Sequence, residues 1–125
     1  MSGIKDWNGY NAALRDSGKT LRALHPEIVK GFVALNNGAA QTKHLDAKTR
    51  ELISLAVTVT TRCDGCIDAH VRKAKAAGAT KEEIVETLAM AIYMGAGPSA
   101  MYASHAFNAY TQFAEARAAK ATAGE

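Results

Sequence analysis

The chain has 125 residues, of which 48% are hydrophobic and 6% aromatic, and its formal net charge is +3. This length and hydrophobic content predict one folded domain over residues 1–125 and exclude a disordered segment. The charges alternate in sign and form no basic block, which argues against a nucleic-acid partner or a membrane surface. The amino-terminal residues lack the apolar stretch of a signal peptide, so we expect a cytoplasmic protein.

Helical patterns occupy most of the first half of the chain. A weak amphipathic segment covers residues 5–16, and Pro26 suits the first turn of a second helix that ends near residues 36–38. Asp46 is a good N-cap for a third helix over residues 47–61. That third helix is apolar on all sides, which predicts a central and buried position.

Turn and capping signals divide the second half. A fourth helix over residues 63–77 is stopped by Gly78, and a capping box at Thr80 opens the next helix. Residues 95–97 break that helix before Pro98 starts a last long one. The sequence therefore predicts an all-α bundle of about five or six helices joined by short loops. Abundant alanine and few aromatic residues further suggest that the protein self-associates as a homo-oligomer.

The two cysteines of the chain stand in one motif, Cys63-Asp64-Gly65-Cys66. A helix N-terminus stabilises a thiolate, which is the nucleophilic form of cysteine. His70 lies one helical turn beyond Cys66, where it can accept the proton of that thiol. Such a cysteine pair can lose a proton, form a disulfide and be reduced again, so the motif predicts thiol redox chemistry.

Glu51 joins this group if the third and fourth helices run antiparallel. Along the helix axes Glu51 then lies roughly 18 Å before Cys63 and His70 roughly 10 Å after it. The remaining offset of about 8 Å is within the combined reach of two long side chains. A carboxylate on the far nitrogen of His70 would fix its tautomer and raise its basicity. We therefore predict a line from Glu51 through His70 to Cys66, with Cys63 alongside.

At this spacing, Glu51, Cys63, Cys66 and His70 resemble the signature of the alkyl hydroperoxidase D-like branch of the carboxymuconolactone decarboxylase family. The resemblance covers about residues 46–97. It implies an all-helical protomer that assembles into trimers or hexamers and reduces a small hydroperoxide, a peroxiredoxin-type antioxidant activity.

The resemblance also implies a role for each sulfur. Cys66 would be oxidised to a sulfenic acid, Cys63 would resolve it as the disulfide, and a lipoyl-type or other dithiol would donate electrons. No bound cofactor and no metal ion are expected. Gly65 departs from the pattern, because alkyl hydroperoxidase D carries a second histidine there. The decarboxylase branch lacks the cysteine pair.

Several alternatives stay open from the residues alone. Cys63, Cys66 and His70 could bind zinc with Glu51 or His105 as the fourth ligand, or the thiols could be buried and inert. Glu51 and His70 could instead be the acid and base of a non-redox lactone or decarboxylase enzyme. The helix dipole favours Cys63 as the more acidic thiol, whereas the position of His70 and the resemblance favour Cys66.

Overall fold

The computed structural model describes residues 3–124, which form an all-α fold and contain no strand. The helices are α1 (Trp7–Leu24), α2 (Pro26–Ala39), α3 (Ala47–Thr60), α4 (Asp64–Ala76) and α5 (Lys81–Thr122). Helix α5 is interrupted at Ala96, where the backbone is left-handed with φ 52° and ψ −134°. The predicted break at residues 95–97 is therefore present, and Pro98 lies at the start of the second half of α5.

Side-chain caps fix where the central helices begin. The Asp46 carboxylate accepts the Thr49 backbone N–H at 2.8 Å, and the Thr80 hydroxyl accepts the Glu83 N–H at 3.1 Å. Each bond satisfies a backbone donor that has no partner inside the helix. Gly78, with φ 93°, makes the turn after α4. These local signals lie where the sequence predicts them.

Helix α1 is longer than the segment predicted over residues 5–16, because it continues to Leu24. Its second half lies on the surface, where Asp16 and Lys19 form an exposed ion pair at 3.2 Å. Leu14 and Leu21 continue the apolar position of Trp7 at heptad spacing, and both are exposed in the protomer. The apolar stripe of α1 therefore extends beyond the predicted segment.

The core forms where α3 packs against α4 and α5. The largest fully buried side chains are those of Trp7, Leu55, Val59, Ile67, Val71 and Ile84. The prediction that α3 is buried on all sides is wrong for the protomer, since Ile53 and Val57 are 50% and 54% exposed. Helix α2 has no buried residue and packs mainly against α1.

The start of the described chain is anchored to α4 and α5. The buried Trp7 donates from its backbone N–H to Gln112 at 2.8 Å and from its indole to Asn108 at 3.2 Å. Gln112 in turn donates to the Lys5 carbonyl at 2.7 Å, and Arg72 donates to the Trp7 carbonyl at 3.2 Å. These bonds hold Lys5 beside the first turn of α4. None of the described helices is long and apolar enough to cross a membrane.

Candidate functional site

The two cysteines lie at the beginning of α4 and are joined by a disulfide, with their Cα atoms 5.2 Å apart. Cys63 is the N-cap of α4, and its Sγ accepts the Cys66 backbone N–H at 3.2 Å. Both residues are partly buried. An N-cap sulfur faces the positive end of the helix dipole, so this position favours an anionic Cys63 once the disulfide is reduced.

Glu51 and His70 meet across the α3–α4 hairpin. The short connection between the two helices includes Arg62 in a left-handed conformation, φ 57°, and it turns the chain back along α3. His70 Nδ1 lies 2.6 Å from Glu51 Oε2, and the two side chains are 26% and 13% exposed. The contact predicted from the helix geometry is therefore present, while its catalytic role stays a prediction.

The protonation pattern of this pair follows from its chemistry. An ionised carboxylate can only accept hydrogen bonds, so Nδ1 of His70 donates to Glu51. The neutral ring then carries its lone pair on Nε2, which is free to act as a base. His70 lies one turn after Cys66 on α4, which places the base and the sulfur on the same side of the helix.

A cavity of about 320 Å³ opens beside this pair, between the end of α2 and the facing sides of α3 and α4. Its lining residues are Asn36, Ala39, Ala40, Arg50, Glu51, Ser54, His70 and Lys73. Two cations and the imidazole line it, but neither cysteine does. Another cavity, of about 510 Å³ and mainly apolar, lies between the two halves of α5 and includes none of the predicted site residues.

Asp64, between the cysteines, belongs to a second polar cluster that the sequence does not predict. Its carboxylate accepts a hydrogen bond from Lys5 Nζ at 2.5 Å and lies 3.2 Å from His105 Nδ1. Burial raises the pKa of Asp64, but the hydrogen bonds from Lys5 and His105 outweigh it and leave that pKa below its ordinary value. Asp64 is therefore ionised near neutral pH.

Gly65 lies directly under α1. A Cβ atom at this position would be 3.1 Å from Leu14 Cδ2 and 3.8 Å from the Tyr10 hydroxyl. A side chain at position 65 would therefore require the end of the Leu14 side chain to shift. The side chains of Leu14 and Tyr10 from α1 thus border the space beside the Gly65 Cα atom.

The zinc alternative gains no geometric support. Among residues 3–124, no three His, Cys, Asp or Glu side chains are grouped so that they could hold a metal ion. Both sulfurs are engaged in the disulfide, and His105 points to Asp64 rather than to His70.

Comparison with known proteins agrees with the fold. The profile of the carboxymuconolactone decarboxylase family matches residues 26–109, which include α2, the cysteine motif and most of α5. A solved structure of a carboxymuconolactone decarboxylase family protein from Legionella pneumophila superimposes with a TM-score of 0.80. The two chains are 39% identical over 86% of this chain and 96% of that chain.

Two bacterial relatives, both uncharacterised, share part of the sequence. A protein of Haemophilus influenzae is 45% identical over 69 residues, which are 55% of this chain and 61% of the relative. A protein of Cupriavidus necator is 41% identical over 81 residues, or 65% of this chain and 72% of the relative. With the family profile covering residues 26–109, the chain belongs to the carboxymuconolactone decarboxylase family.

Proposed function

We propose that this member of the carboxymuconolactone decarboxylase family is a thiol-dependent hydroperoxide reductase. In this proposal Cys63 and Cys66 are the redox pair, and His70, oriented by Glu51, is the general base. The observation that carries the proposal is the 2.6 Å contact between Glu51 and His70, one helical turn from cysteines that have closed a disulfide. The function requires both features together.

The proposed oxidation consumes one peroxide and yields one disulfide. In the reduced site His70 Nε2 takes the proton of Cys66, and the thiolate attacks the terminal peroxide oxygen. The O–O bond breaks, the alcohol leaves with the proton from His70, and Cys66 becomes a sulfenic acid. Cys63 then attacks the Cys66 sulfur, the S–O bond breaks, and water leaves as the disulfide closes.

Reduction of the disulfide needs an external dithiol, for which we propose a lipoyl-type donor. In thiol–disulfide exchange the thiol of lower pKa is the better leaving group. The Cys66 N–H bond to Cys63 Sγ favours departure of Cys63 as the thiolate. The donor would therefore attack Cys66, and the second donor thiol would complete the transfer of two electrons.

A thiol titration tests the proposed function directly. Reduced protein is mixed with one equivalent of peroxide, free thiols are counted, and a dihydrolipoyl compound is added. We expect both thiols to disappear with peroxide and to return with the donor. Retention of both thiols while the peroxide is left intact would overturn the proposal.

Single-cysteine variants assign the roles of the two sulfurs. A probe for sulfenic acid should label Cys63→Ser after peroxide treatment, because Cys66 is oxidised and cannot be resolved. Labelling only in Cys66→Ser would reverse the assignment and make Cys63 the attacking thiol, as the helix N-cap position alone would favour.

The cavity beside Glu51 favours a second candidate function. It contains Glu51 and His70 but neither cysteine, and Arg50 and Lys73 bring two positive charges to its wall. This arrangement suits acid–base chemistry on a small lactone that carries a carboxylate. Such an activity would survive replacement of both cysteines by serine, whereas peroxide reduction would not.

We also propose that the protein works as a homo-oligomer. Helices α2 and α3 expose large apolar side chains in the protomer, among them Phe32 (63%), Ile53 (50%) and Val57 (54%). Apolar patches that remain exposed on a folded chain are typical of interfaces. Solution sizing at micromolar concentration should give a species larger than a monomer, and a monomer peak would contradict this.

A further inference from the structure

The redox motif carries a second imidazole–carboxylate pair that the proposed mechanism leaves unused. Asp64 directly follows Cys63, and one oxygen of its carboxylate lies 3.2 Å from His105 Nδ1. The two side chains are 22% and 24% exposed, so they interact in an environment less polar than bulk water. Lys5 holds the other carboxylate oxygen at 2.5 Å.

The orientation of the His105 ring is well defined. Because ionised Asp64 can only accept, Nδ1 of His105 donates to it, and the neutral ring has its lone pair on Nε2. Tyr102 stacks on the ring at a centroid distance of 4.8 Å, and Trp7 meets it edge-on at 6.2 Å. Within residues 3–124, Nε2 has no hydrogen-bond partner in the protein.

We propose that His105, held by Asp64, is a second proton-transfer residue of the redox site and serves Cys63, as His70 serves Cys66. When Cys63 attacks the Cys66 sulfenic acid, His105 Nε2 takes the Cys63 proton directly or through one water. The S–S bond forms, the S–O bond breaks, and the same proton leaves with the hydroxide as water. This step rests on the proposed function, but the acid–base link between His105 and Cys63 does not require peroxide.

The charges around the cluster fit this role. Asp64 alone would oppose a neighbouring thiolate, since like charges repel. Lys5 from the amino-terminal segment compensates this charge, and its Nζ also lies 4.3 Å from the ring centroid of Tyr10 on α1. Tyr102, which is titratable and lies on the same helix as His105, stacks on the imidazole. With one cation matching Asp64, the imidazole is free to carry the transferred proton.

The roles of the two histidines are distinguished by measuring the alkylation of each cysteine in a variant that lacks the other. In Cys66→Ser only Cys63 reacts with iodoacetamide, and in Cys63→Ser only Cys66 does. Alkylation rates are measured from about pH 5 to pH 10, a range that brackets ordinary thiol titration. In each background the rates are compared with those after His105→Asn, which keeps an amide donor for Asp64 but has no base.

We expect His105→Asn to raise the midpoint of the Cys63 profile by about half a pH unit or more. Alkylation of Cys63 near pH 7 should slow about threefold, in proportion to the lost thiolate. The midpoint of the Cys66 alkylation profile should not change in His105→Asn. In His70→Asn the Cys66 midpoint should rise and the Cys63 midpoint should not change. His44→Asn is the matched control, because His44 lies exposed in the loop before α3.

The outcomes are distinct. An unchanged Cys63 midpoint in folded His105→Asn overturns the proposal, and so does an equal shift of both cysteines with a lower melting temperature, which indicates general loosening. If His105→Asn does not fold, His105→Gln gives the same two readouts. A selective Cys63 shift in a protein that consumes no peroxide would refute the proposed function and leave this inference standing.

Discussion

Replacing Glu51 by glutamine tests the proposed base most sharply. The substitution keeps the size of the side chain and an oxygen that can accept the His70 hydrogen bond, but it removes the negative charge. The native contact is 2.6 Å long and both side chains are mostly shielded from solvent. The change is therefore confined to the electrostatic support of one imidazole.

The magnitude follows from hydrogen-bond energetics. A bond to a charged group contributes about 1.5–3 kcal/mol and a neutral one about 0.5–1.5 kcal/mol, so the loss is about 1–1.5 kcal/mol. Since about 1.4 kcal/mol corresponds to a factor of ten, Glu51→Gln should oxidise about tenfold more slowly. If the amide turns and donates to Nδ1, the ring takes the other tautomer and the loss is larger.

The assay is the rate at which free thiols disappear after rapid mixing of reduced protein with peroxide at neutral pH. Glu83→Gln is the matched control, because Glu83 forms a partly buried contact with Lys48 at 3.1 Å and also joins α3 to α5. It should react at the wild-type rate. Wild-type oxidation of Glu51→Gln would refute the idea that Glu51 supports His70 as the base.

Three further predictions concern stability and assembly. The pKa of Asp64 is lower in the folded protein than its ordinary value of about 3.8. Ionised Asp64 therefore stabilises the fold above that pH, and this stabilisation is lost as the pH falls through the folded pKa. Between pH 6 and pH 3 the urea midpoint should therefore fall less in Asp64→Asn than in wild type. Gly65→Ala should leave the melting temperature nearly unchanged, because the shift of Leu14 Cδ2, which lies 3.1 Å from the new Cβ, offsets the about 0.5–1 kcal/mol that alanine gains over glycine within a helix. Gly31→Ala, which meets open space in α2, should instead raise stability by about 0.5–1 kcal/mol. Val57→Lys, at a position 54% exposed in the protomer, should convert an oligomer to monomers in solution sizing, and these monomers should keep the helical circular-dichroism signal of the folded chain.

The parts of the fold that depend on short-range contacts could be predicted from the sequence. The caps at Asp46 and Thr80 each use a bond between residues three apart, and the break near Ala96 uses glycine and proline. Such signals lie within one helical turn, so the residue pattern contains them. The end of α1 was predicted too early, although Leu21 and Leu24 carry its apolar positions into the exposed half.

The apolar surface of α3 shows a different limit to predicting burial from the sequence. Ile53 and Val57 read as core residues, yet the protomer leaves both about half exposed. A hydrophobic pattern records that a side chain is to be removed from water and does not record whether its own chain or a second copy covers it. Burial on all sides was therefore wrong for the protomer, and self-association is the prediction that accounts for the same residues.

The two imidazole–carboxylate pairs show why only half of the site could be predicted. Glu51 and His70 are 19 residues apart on helices joined by a short turn, so their register follows from counting along a hairpin. Asp64 and His105 are 41 residues apart, and their contact depends on how α5, after its break at Ala96, passes over the start of α4. No spacing within the sequence encodes that crossing. If both pairs act on the cysteines, one sulfur is served by a base on its own helix and the other by a base that only tertiary packing supplies. A selective shift of the Cys63 alkylation profile in His105→Asn would then show that tertiary packing supplies one base of this site, whereas local sequence supplies the other.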